Sequence, residues 1–238
     1  AYLKQLRRKC LNMTQRVIKR QEILDAFNFR RAIKTFDPTK KISEEDFNVI
    51  LEAARLSPSS CGIEPWKFLV VQNQEFREKL KEISPGAQGH LPTASHFVII
   101  LSRTSKDTRY DSEYVKNQVL NVTGFPAEMS DQVIESIRNF QVNQLNVLES
   151  EQKALDWTKR QTFLPFANMM TVAALLGIDS CPIEGFYIDK VEKLLAEENL
   201  LEDGHLAVSA MVAFGYRAKE PEFPRGRKDM KDIVQWIN

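Results

Sequence analysis

The spacing of apolar and polar positions predicts alternating helices and short strands. Apolar side chains recur three and four residues apart in two segments, which predicts helices at 22–31 and 44–56. A further helix is predicted at 74–83. Ser43 precedes three consecutive acids and is typical of a helix N-cap. Ser57-Pro58 ends that helix, because the residue before proline resists α-helical torsion angles. Apolar runs predict strands at 66–72, 96–102 and 206–216.

The most apolar segment, residues 158–176, predicts a helix that is buried on nearly every side. Gly177 follows it, at the position where glycine commonly ends a helix. Pro165 and Asn168 interrupt the segment, and it is too short to span a bilayer. We expect either a central core helix or part of an extensive subunit interface.

Residues 103–160 are rich in charge and predict a helical excursion, which we expect to form a lid. No repeat, low-complexity tract or flexible linker divides the chain, so residues 22–238 are predicted to form a single domain. Residues 1–21 are a basic extension with seven lysines and arginines and no apolar run typical of a secretory signal. Nucleic-acid binding is indicated only by this extension, which lacks interleaved aromatic residues.

Composition narrows the class of protein. The 33 lysines and arginines nearly cancel the 32 acids, so no overall field attracts nucleic acid or a membrane. Three cysteines (Cys10, Cys61 and Cys181) without a Cys-x-x-Cys motif favour a reducing, cytoplasmic environment. Histidines, cysteines and carboxylates show no metal-ligand spacing, and we expect no metal site.

Residues 178–186 predict a rigid turn after the long apolar helix. Pro182 restricts φ and lacks an amide donor, whereas Gly185 permits torsion angles closed to most residues. The amides of residues 183–185 are therefore expected to face a planar acceptor. By itself, such a turn is more typical of an ordinary loop.

Any nucleotide phosphate is expected to be held by side chains. The chain has nine glycines, and neither Gly-x-Gly-x-x-Gly nor a Walker loop follows a predicted strand. Arg30 and Lys34 would share a face if the first helix continued, and Arg225 and Arg227 point the same way in an extended segment. Arginine suits phosphate because its planar fork donates two hydrogen bonds. A solvated helix end and a solvated tail remain the alternatives for these two pairs.

Four segments in order resemble the FMN-dependent nitroreductase family. They are Arg30 to Asp37 (RRAIKTFD), Ser57 to Phe68 (SPSSCGIEPWKF), Ala94-Ser95-His96, and Gly177 to Phe186 (GIDSCPIEGF). Several motifs in register are more specific than any single one, and the resemblance spans about residues 22–230. It implies an α+β fold with a mixed, largely antiparallel sheet flanked by helices. It also implies an intertwined homodimer in which the C-terminal segment embraces the partner.

The resemblance implies an oxidoreductase with tightly, non-covalently bound FMN and NAD(P)H as co-substrate. In this family a hydride passes to flavin N5, and a nitroaromatic, quinone or flavin acceptor is then reduced by two electrons in a ping-pong sequence. No side chain is expected to act as a nucleophile, acid or base. The alternative is a protein of the same fold that binds or sequesters flavin without catalysis.

The resemblance also assigns roles to residues. Arg30 and Arg31 would contact the phosphate or ribityl chain, Lys34 the N1/O2 edge, and Arg225 and Arg227 the phosphate. Lys34, Glu184 and Gly185 would tune the flavin. The full set of implied cofactor contacts is Arg30, Arg31, Ala32, Lys34, Pro58, Ser59, Ser60, Gly62, Gln88, Pro182, Ile183, Glu184, Gly185, Arg225 and Arg227. The contacts of residues 58–60 would come from the partner subunit, so the site would exist only in a homodimer.

The chain departs from the family pattern at several of these positions. Ala32 stands where many members have serine, and Gly62 and Glu64 stand where asparagine and glutamine are common. A carboxylate at Glu64 would be unfavourable beside a reduced flavin unless it is paired or turned away. Gln88 is expected to replace an asparagine that often contacts the flavin.

Overall fold

The computed structural model describes residues 18–237, and its centre is an antiparallel sheet of four strands. The strands are β1 (Trp66–Val70), β2 (His96–Arg103), β3 (Asp179–Ile183) and β4 (Leu206–Gly215), in the spatial order β1-β2-β4-β3. Each neighbouring pair is antiparallel. The two central strands are almost entirely buried, as the continuous apolar runs predicted.

The edge strand β3 receives the chain that follows the first helix. Ala32 forms an isolated parallel bridge with Ser180, and Phe36 forms an antiparallel bridge with Arg217. The parallel bridge gives the sheet its mixed character, so the expected α+β architecture with a largely antiparallel sheet is confirmed. Pro182 is tolerated in β3 because an edge strand leaves one side of its ladder unpaired.

Helices cover both faces of the sheet. They are α1 (Arg20–Phe29), α2 (Glu44–Arg55), α3 (Gln74–Glu82), α4 (Ser105–Thr108), α5 (Glu113–Asn117), α6 (Ala127–Asn139), α7 (Glu151–Leu175) and α8 (Ile188–Glu197). The predicted N-cap of α2 is confirmed, since the Ser43 hydroxyl accepts the amide of Asp46 at 3.0 Å. Asn73 caps α3 in the same way, at 2.9 Å from the amide of Phe76.

The long apolar helix is α7, and it is longer than predicted. It begins at Glu151 rather than near residue 158, because Ser150 caps it and accepts the amide of Lys153 at 3.2 Å. Pro165 lies inside the helix, as the predicted bounds required. Gly177 adopts a φ of +71° after the last turn, as expected of a terminating glycine.

α7 is buried against the sheet on one side and exposes apolar side chains on the other. Met169 and Ala173 are inaccessible and pack with Phe47 and Ile50 of α2 and with residues of β2. Four apolar side chains of the same stretch remain about 40% exposed: Phe163, Leu164, Leu175 and Leu176. A helix with both properties serves the core of its own chain and leaves an apolar strip uncovered.

Residues 103–160 are mainly helical and contain α4, α5, α6 and the start of α7. π-helical turns occur at 118–122 and 140–144, before and after α6. The helices enclose a small separate core of Ile63, Val115, Val119, Ile137, Val147 and Trp157. The lid role of this excursion stays a prediction, as do the single-domain boundaries. The basic extension falls almost entirely outside the described residues, and none of the helices in 18–237 is long and apolar enough to cross a membrane.

Candidate functional site

The first basic motif lies in extended chain beside β3. α1 ends at Phe29, two residues before the predicted end, and Arg30 already has extended torsion angles (φ −61°, ψ 119°). The helix therefore does not continue to Lys34, which was the condition for a face shared by Arg30 and Lys34. The amide of Ile33 donates to Ser180 at 3.4 Å, which fixes the segment along the sheet edge. Successive side chains of an extended chain alternate sides, so Ile33 is buried while Ala32 and Lys34 are exposed.

The C-terminal segment is tied to this motif by arginine-to-carbonyl hydrogen bonds. Arg225 donates from Nη1 to the carbonyl of Arg30 at 2.6 Å and from Nη2 to that of Phe27 at 2.8 Å. Arg31 donates to the carbonyl of Phe223 at 2.5 Å. The carbonyl oxygens at the end of α1, which lack helical partners, therefore receive a cation. The fold thus brings residues almost 200 positions apart into one place.

Four arginines (Arg30, Arg31, Arg225 and Arg227), here called the arginine cluster, concentrate positive charge at this point. Burial and the like charges of its three neighbours lower the pKa of Arg225. Among residues 18–237, no carboxylate forms an ion pair with any member of the cluster. Arg227 is exposed and donates only to the adjacent carbonyl of Gly226. Uncompensated guanidinium groups in one place are suited to a phosphate.

The ammonium group of Lys34 contacts a thiol and not a carboxylate. Its Nζ lies 3.7 Å from Sγ of Cys181, a residue of β3 that is completely buried. Burial raises the pKa of the Cys181 thiol, against the opposing effects of Lys34 and Arg30. A neutral thiol leaves the lysine charge uncompensated and available to an anionic or electron-rich ring edge.

The turn after β3 is shorter than the sequence suggested. Residues 179–183 are a strand, and Ile183 is still paired with Met211, so Pro182 and Ile183 are part of the sheet. The following Glu184 and Gly185 are exposed, and neither amide donates a hydrogen bond to another residue in the described part of the chain. Of the three amides predicted to face an acceptor, those of Glu184 and Gly185 are therefore free at the end of the strand.

Close glycine contacts hold this turn in place. The amide of Gly86 donates to the carbonyl of Gly185 at 2.7 Å. A Cβ on Gly86 would lie 2.9 Å from the Gly185 oxygen and 3.0 Å from its Cα. A Cβ on Gly89 would meet the carbonyl oxygen of Lys34 at 2.5 Å. Residues 84–91 therefore support both the Lys34 segment and the turn after β3, which sequence reasoning missed. The available signal was that two of only nine glycines lie three residues apart.

His90 links the same loop to the first basic motif. Its Nε2 lies 3.1 Å from the carbonyl of Ile33, and the residue is only 2% exposed. Burial, followed by the charge of Lys34, lowers the pKa of His90 to about 4. A neutral ring can donate from Nε2 to that carbonyl.

The shifted pKa of His90 predicts a pH dependence of stability. An unfolded histidine takes up a proton near pH 6.5, whereas folded His90 does so near 4. Between these values the unfolded state binds more protons, so the free energy of unfolding falls as the pH is lowered through the window. His90→Gln should reduce that pH dependence. Urea denaturation at several pH values between about 4 and 6.5 measures the free energy of unfolding. If this free energy changed equally steeply with pH in the variant and the parent, the prediction would be wrong.

The predicted flavin contact of Gln88 is not supported by its hydrogen bonds. Its amide nitrogen donates to the carbonyl of Lys81 at 2.6 Å and to that of Ser84 at 3.0 Å. Lys81 is in the last turn of α3, and Ser84 follows the helix. The side chain of Gln88 therefore ties its loop to the end of α3, and its amide nitrogen is already in use.

The serine loop, residues 57–64, is anchored elsewhere in the chain. The amide of Ser60 donates to Oε1 of Gln161 in α7 at 2.9 Å, and the Ser59 hydroxyl accepts the amide of Glu64, also at 2.9 Å. Cys61, Gly62 and Glu64 have positive φ values of 58°, 63° and 45°. Such torsion angles in non-glycine residues are held by the surrounding contacts and commonly accompany function.

The backbone of Glu64 is fixed on both sides. Its carbonyl accepts the hydroxyl of Tyr114 at 2.8 Å, and Arg103 lies over the Tyr114 ring at 4.5 Å from its centroid. The loop therefore packs on α7 and the helical excursion, whereas the arginine cluster lies at α1 and the C-terminal segment. Pro58, Ser59, Ser60 and Gly62 accordingly form a second group of candidate contacts, separate from the first.

Comparisons with known proteins show the family of this chain. The model of the Nitroreductase family matches residues 28–216. The putative NAD(P)H nitroreductase YfkO of Bacillus subtilis strain 168 is 52% identical over 216 residues, which are 91% of this chain and 97% of the relative. A putative NAD(P)H nitroreductase of Staphylococcus haemolyticus is 51% identical over 217 residues, 91% of this chain and 98% of that one.

A solved structure contains the expected cofactor. A putative nitroreductase from Exiguobacterium sibiricum, in complex with FMN, superposes with a TM-score of 0.72 at 25% identity and covers 94% of this chain and all of that one. The family model spans most of the chain, and the matched relatives align over almost their whole length. This chain therefore belongs to the nitroreductase family.

Proposed function

We propose that the protein is an FMN-dependent oxidoreductase that uses NAD(P)H to reduce nitroaromatics, quinones or flavins. The observation that carries the proposal is the arginine cluster, which has no carboxylate partner among residues 18–237. Lys34 follows in the same segment as Arg30 and Arg31, and residues 84–91 contact both that segment and the turn with the free amides of Glu184 and Gly185. A flavin mononucleotide has one phosphate and one planar, hydrogen-bonding ring, and these residues provide donors for both. Family membership and the FMN complex of a neighbour support the same conclusion.

The roles of the residues follow from their chemistry. Arg227, Arg30 and Arg31 would bind the phosphate, and Arg225 would both face it and hold the C-terminal segment on α1. Lys34 would place a positive charge at the pyrimidine edge, where it stabilises an anionic reduced ring. The two free amides would donate to the opposite edge. When bound, FMN would supply the hydride transfer between NAD(P)H and the acceptor.

No side chain of the site has to transfer a proton in the first half of such a reaction. The chain's contribution is positioning and a fixed positive electrostatic environment. The close contact of Gly86 with Gly185 serves this purpose, because it fixes the two donor amides without a flexible side chain. We propose a ping-pong sequence in which the nucleotide and the acceptor use the same face in turn.

We further propose a homodimer in which the serine loop completes the partner's site. The loop and the arginine cluster belong to different parts of one chain, and an uncovered apolar strip is present on α7. Leu24 and Phe27 of α1 are 56% and 51% exposed, and Trp236 and Ile237 near the C-terminus are 83% and 93% exposed. Apolar surface of this extent is typical of a subunit interface.

The reaction is tested by spectroscopy and anaerobic titration. The purified protein should show a flavin spectrum, and NADH or NADPH should bleach it without oxygen. Menadione or a nitroaromatic should then restore the colour and support steady-state NAD(P)H oxidation. A yellow protein that neither nucleotide bleaches would contradict the enzyme and favour the flavin-sequestering alternative.

The proposed dimer is tested by a substitution that places a charge among the exposed apolar side chains of α7. Leu164→Glu should weaken the dimer by roughly tenfold or more, because an unpaired charge in an interface must be desolvated. Leu164 is 41% exposed, so the monomer should still fold. Ala173 is unsuitable, because it is fully buried within its own chain. The molar mass measured by light scattering and the flavin-to-protein absorbance ratio should fall together.

A matched control separates the interface from a general effect of charge. Met129→Glu changes an apolar side chain of α6 that is 45% exposed, and it should keep the dimer and its FMN. A folded Leu164→Glu monomer with stoichiometric FMN would show that each site is built from one chain. The shared-site proposal would then be wrong.

A further inference from the structure

A small polar pocket lies away from the arginine cluster, at the start of β2. It has a volume of about 240 Å³ and is lined by Lys41, Gln72, Gln74, Arg77, Ser95 and His96. Every lining residue has a polar side chain, three carry or can carry a positive charge, and none is acidic. The volume is several times the roughly 30 Å³ share of one water molecule, so a tetrahedral oxyanion fits with room for hydration.

Arg77 is a buried cation without a counter-charge. It is 2% exposed, and it donates from Nε to Val71, from Nη1 to Leu91 and Ala94, and from Nη2 to Oε1 of Gln72. All four acceptors are neutral oxygens, and no described carboxylate forms an ion pair with Arg77. One of the five N–H groups, on Nη2, has no acceptor among the described residues. A buried charge that is hydrogen-bonded but not neutralised favours a nearby anion.

His96 presents a second donor to the pocket. Its ring stacks on Phe47 at a centroid distance of 3.8 Å and an interplanar angle of 17°. The Ser95 hydroxyl accepts the amide of Ile42 at 2.8 Å, so its own proton is free to be donated to Nδ1 of His96, 3.1 Å away. That arrangement leaves the proton of the neutral ring on Nε2, for which the described residues offer no acceptor. Burial, then the charges of Arg77 and Lys41, lowers the pKa of His96 to about 4.

Lys41 completes the set from a third segment. It precedes α2, is exposed, and forms no ion pair with a described residue, whereas its neighbour Lys40 lies 3.7 Å from a carboxylate oxygen of Asp37. Together the chain before α2, the start of α3 and the start of β2 contribute donors to one opening. We propose that this pocket binds a small oxyanion, of the phosphate type, through Lys41, His96 and Arg77.

Inorganic phosphate is the probe, and binding is followed by the NMR signals of the histidines. The chain has only three histidines, so the spectrum contains few signals. Protein labelled with ¹⁵N-histidine is titrated with phosphate at neutral pH, and the His96 signals are identified by their absence in His96→Gln. The pocket shares no residue with the arginine cluster, so the titration is run with one equivalent of FMN, which leaves no free phosphomonoester in excess, and is repeated without FMN. We expect a saturable shift of His96 in both, with His205 unaffected. No His96 shift up to tens of millimolar phosphate would overturn the proposal.

Variants test the site without disturbing buried Arg77. Lys41→Gln should weaken the phosphate response about two- to fivefold, as expected for one partly exposed charge. Gln74→Glu places a carboxylate in the pocket and should weaken phosphate binding by roughly tenfold or more. Lys40→Gln removes a neighbouring charge outside the pocket and should leave phosphate binding unchanged. Equal responses of Gln74→Glu and the parent would show non-specific ion binding and overturn the proposal.

A second arm distinguishes a free ion from a phosphate group on a larger molecule. The same titration is made with 5′-AMP, a phosphomonoester. A response to phosphate alone supports a closed site for a free ion, and a response to both supports recognition of a phosphoryl group. A response to neither contradicts the site.

Discussion

Replacing Arg225 and Arg227 together by alanine should weaken FMN binding by about two to four orders of magnitude. Hydrogen bonds to charged groups contribute roughly 1.5–3 kcal/mol each, and about 1.4 kcal/mol corresponds to a factor of ten. The loss should be large because no neighbouring acid in the described chain compensates these arginines, so their charge is available to the phosphate. Fluorescence titration with FMN measures the dissociation constant.

Single variants separate phosphate binding from structure. Arg225 also holds the C-terminal segment on α1 through the carbonyls of Arg30 and Phe27, so its loss is expected to loosen that segment. Arg227 makes no such contact beyond its neighbour Gly226, and Arg227→Ala should therefore reduce affinity without reducing thermal stability. Lys228→Ala is the matched control for net charge, and it should keep its FMN. Unchanged flavin retention in the double variant would show that neither arginine binds the phosphate, which leaves Arg225 with its structural contacts to α1 and Arg227 as a solvated side chain.

Gly86→Ala should destabilise the fold by about 1–3 kcal/mol and remove most of the bound flavin. The added methyl group would lie 2.9 Å from the Gly185 oxygen and 3.0 Å from its Cα, which are backbone atoms that cannot move alone. The turn with the two free amides would be displaced. Urea denaturation and the flavin-to-protein ratio measure the two effects.

A second glycine provides the comparison. A Cβ added to Gly226 would have no neighbour within 4 Å, so Gly226→Ala should leave the free energy of unfolding nearly unchanged. A Gly86→Ala protein with full stability and full flavin content would show that the contact of Gly86 with Gly185 does not position the site.

Much of the fold could be predicted from local patterns. The helix that begins after Ser43 and the strand at 96–102 were recognised because a cap and an apolar run act over a few residues. The end of α1 was wrong by two residues, which changed the geometry of Arg30 and Lys34. Pairing of Ala32 with Ser180 pulls that segment onto the sheet, and such pairing between distant residues leaves no local signal.

The candidate site shows the same division. Its charged members were found because arginine and lysine at motif spacing imply anion chemistry even without coordinates. The hydrogen bonds of Gln88 to the end of α3 could not be predicted, because they depend on where the loop returns to the helix, and its flavin contact stays a prediction. His90 was missed because a neutral histidine carries no pattern, and Gly86 because its spacing from Gly89 has a meaning only once the neighbours of both glycines are known.

The sequence by itself determined the class of fold, the family and the residue types available for a flavin, because apolar periodicity, caps and ordered motifs are properties of neighbouring residues. Only the tertiary structure decided which of them meet. It placed Arg225 on the end of α1, Lys34 against Cys181, and Gly86 against Gly185. These contacts join segments from about 100 to almost 200 residues apart, and their geometry follows from sheet order and packing, which no single segment encodes.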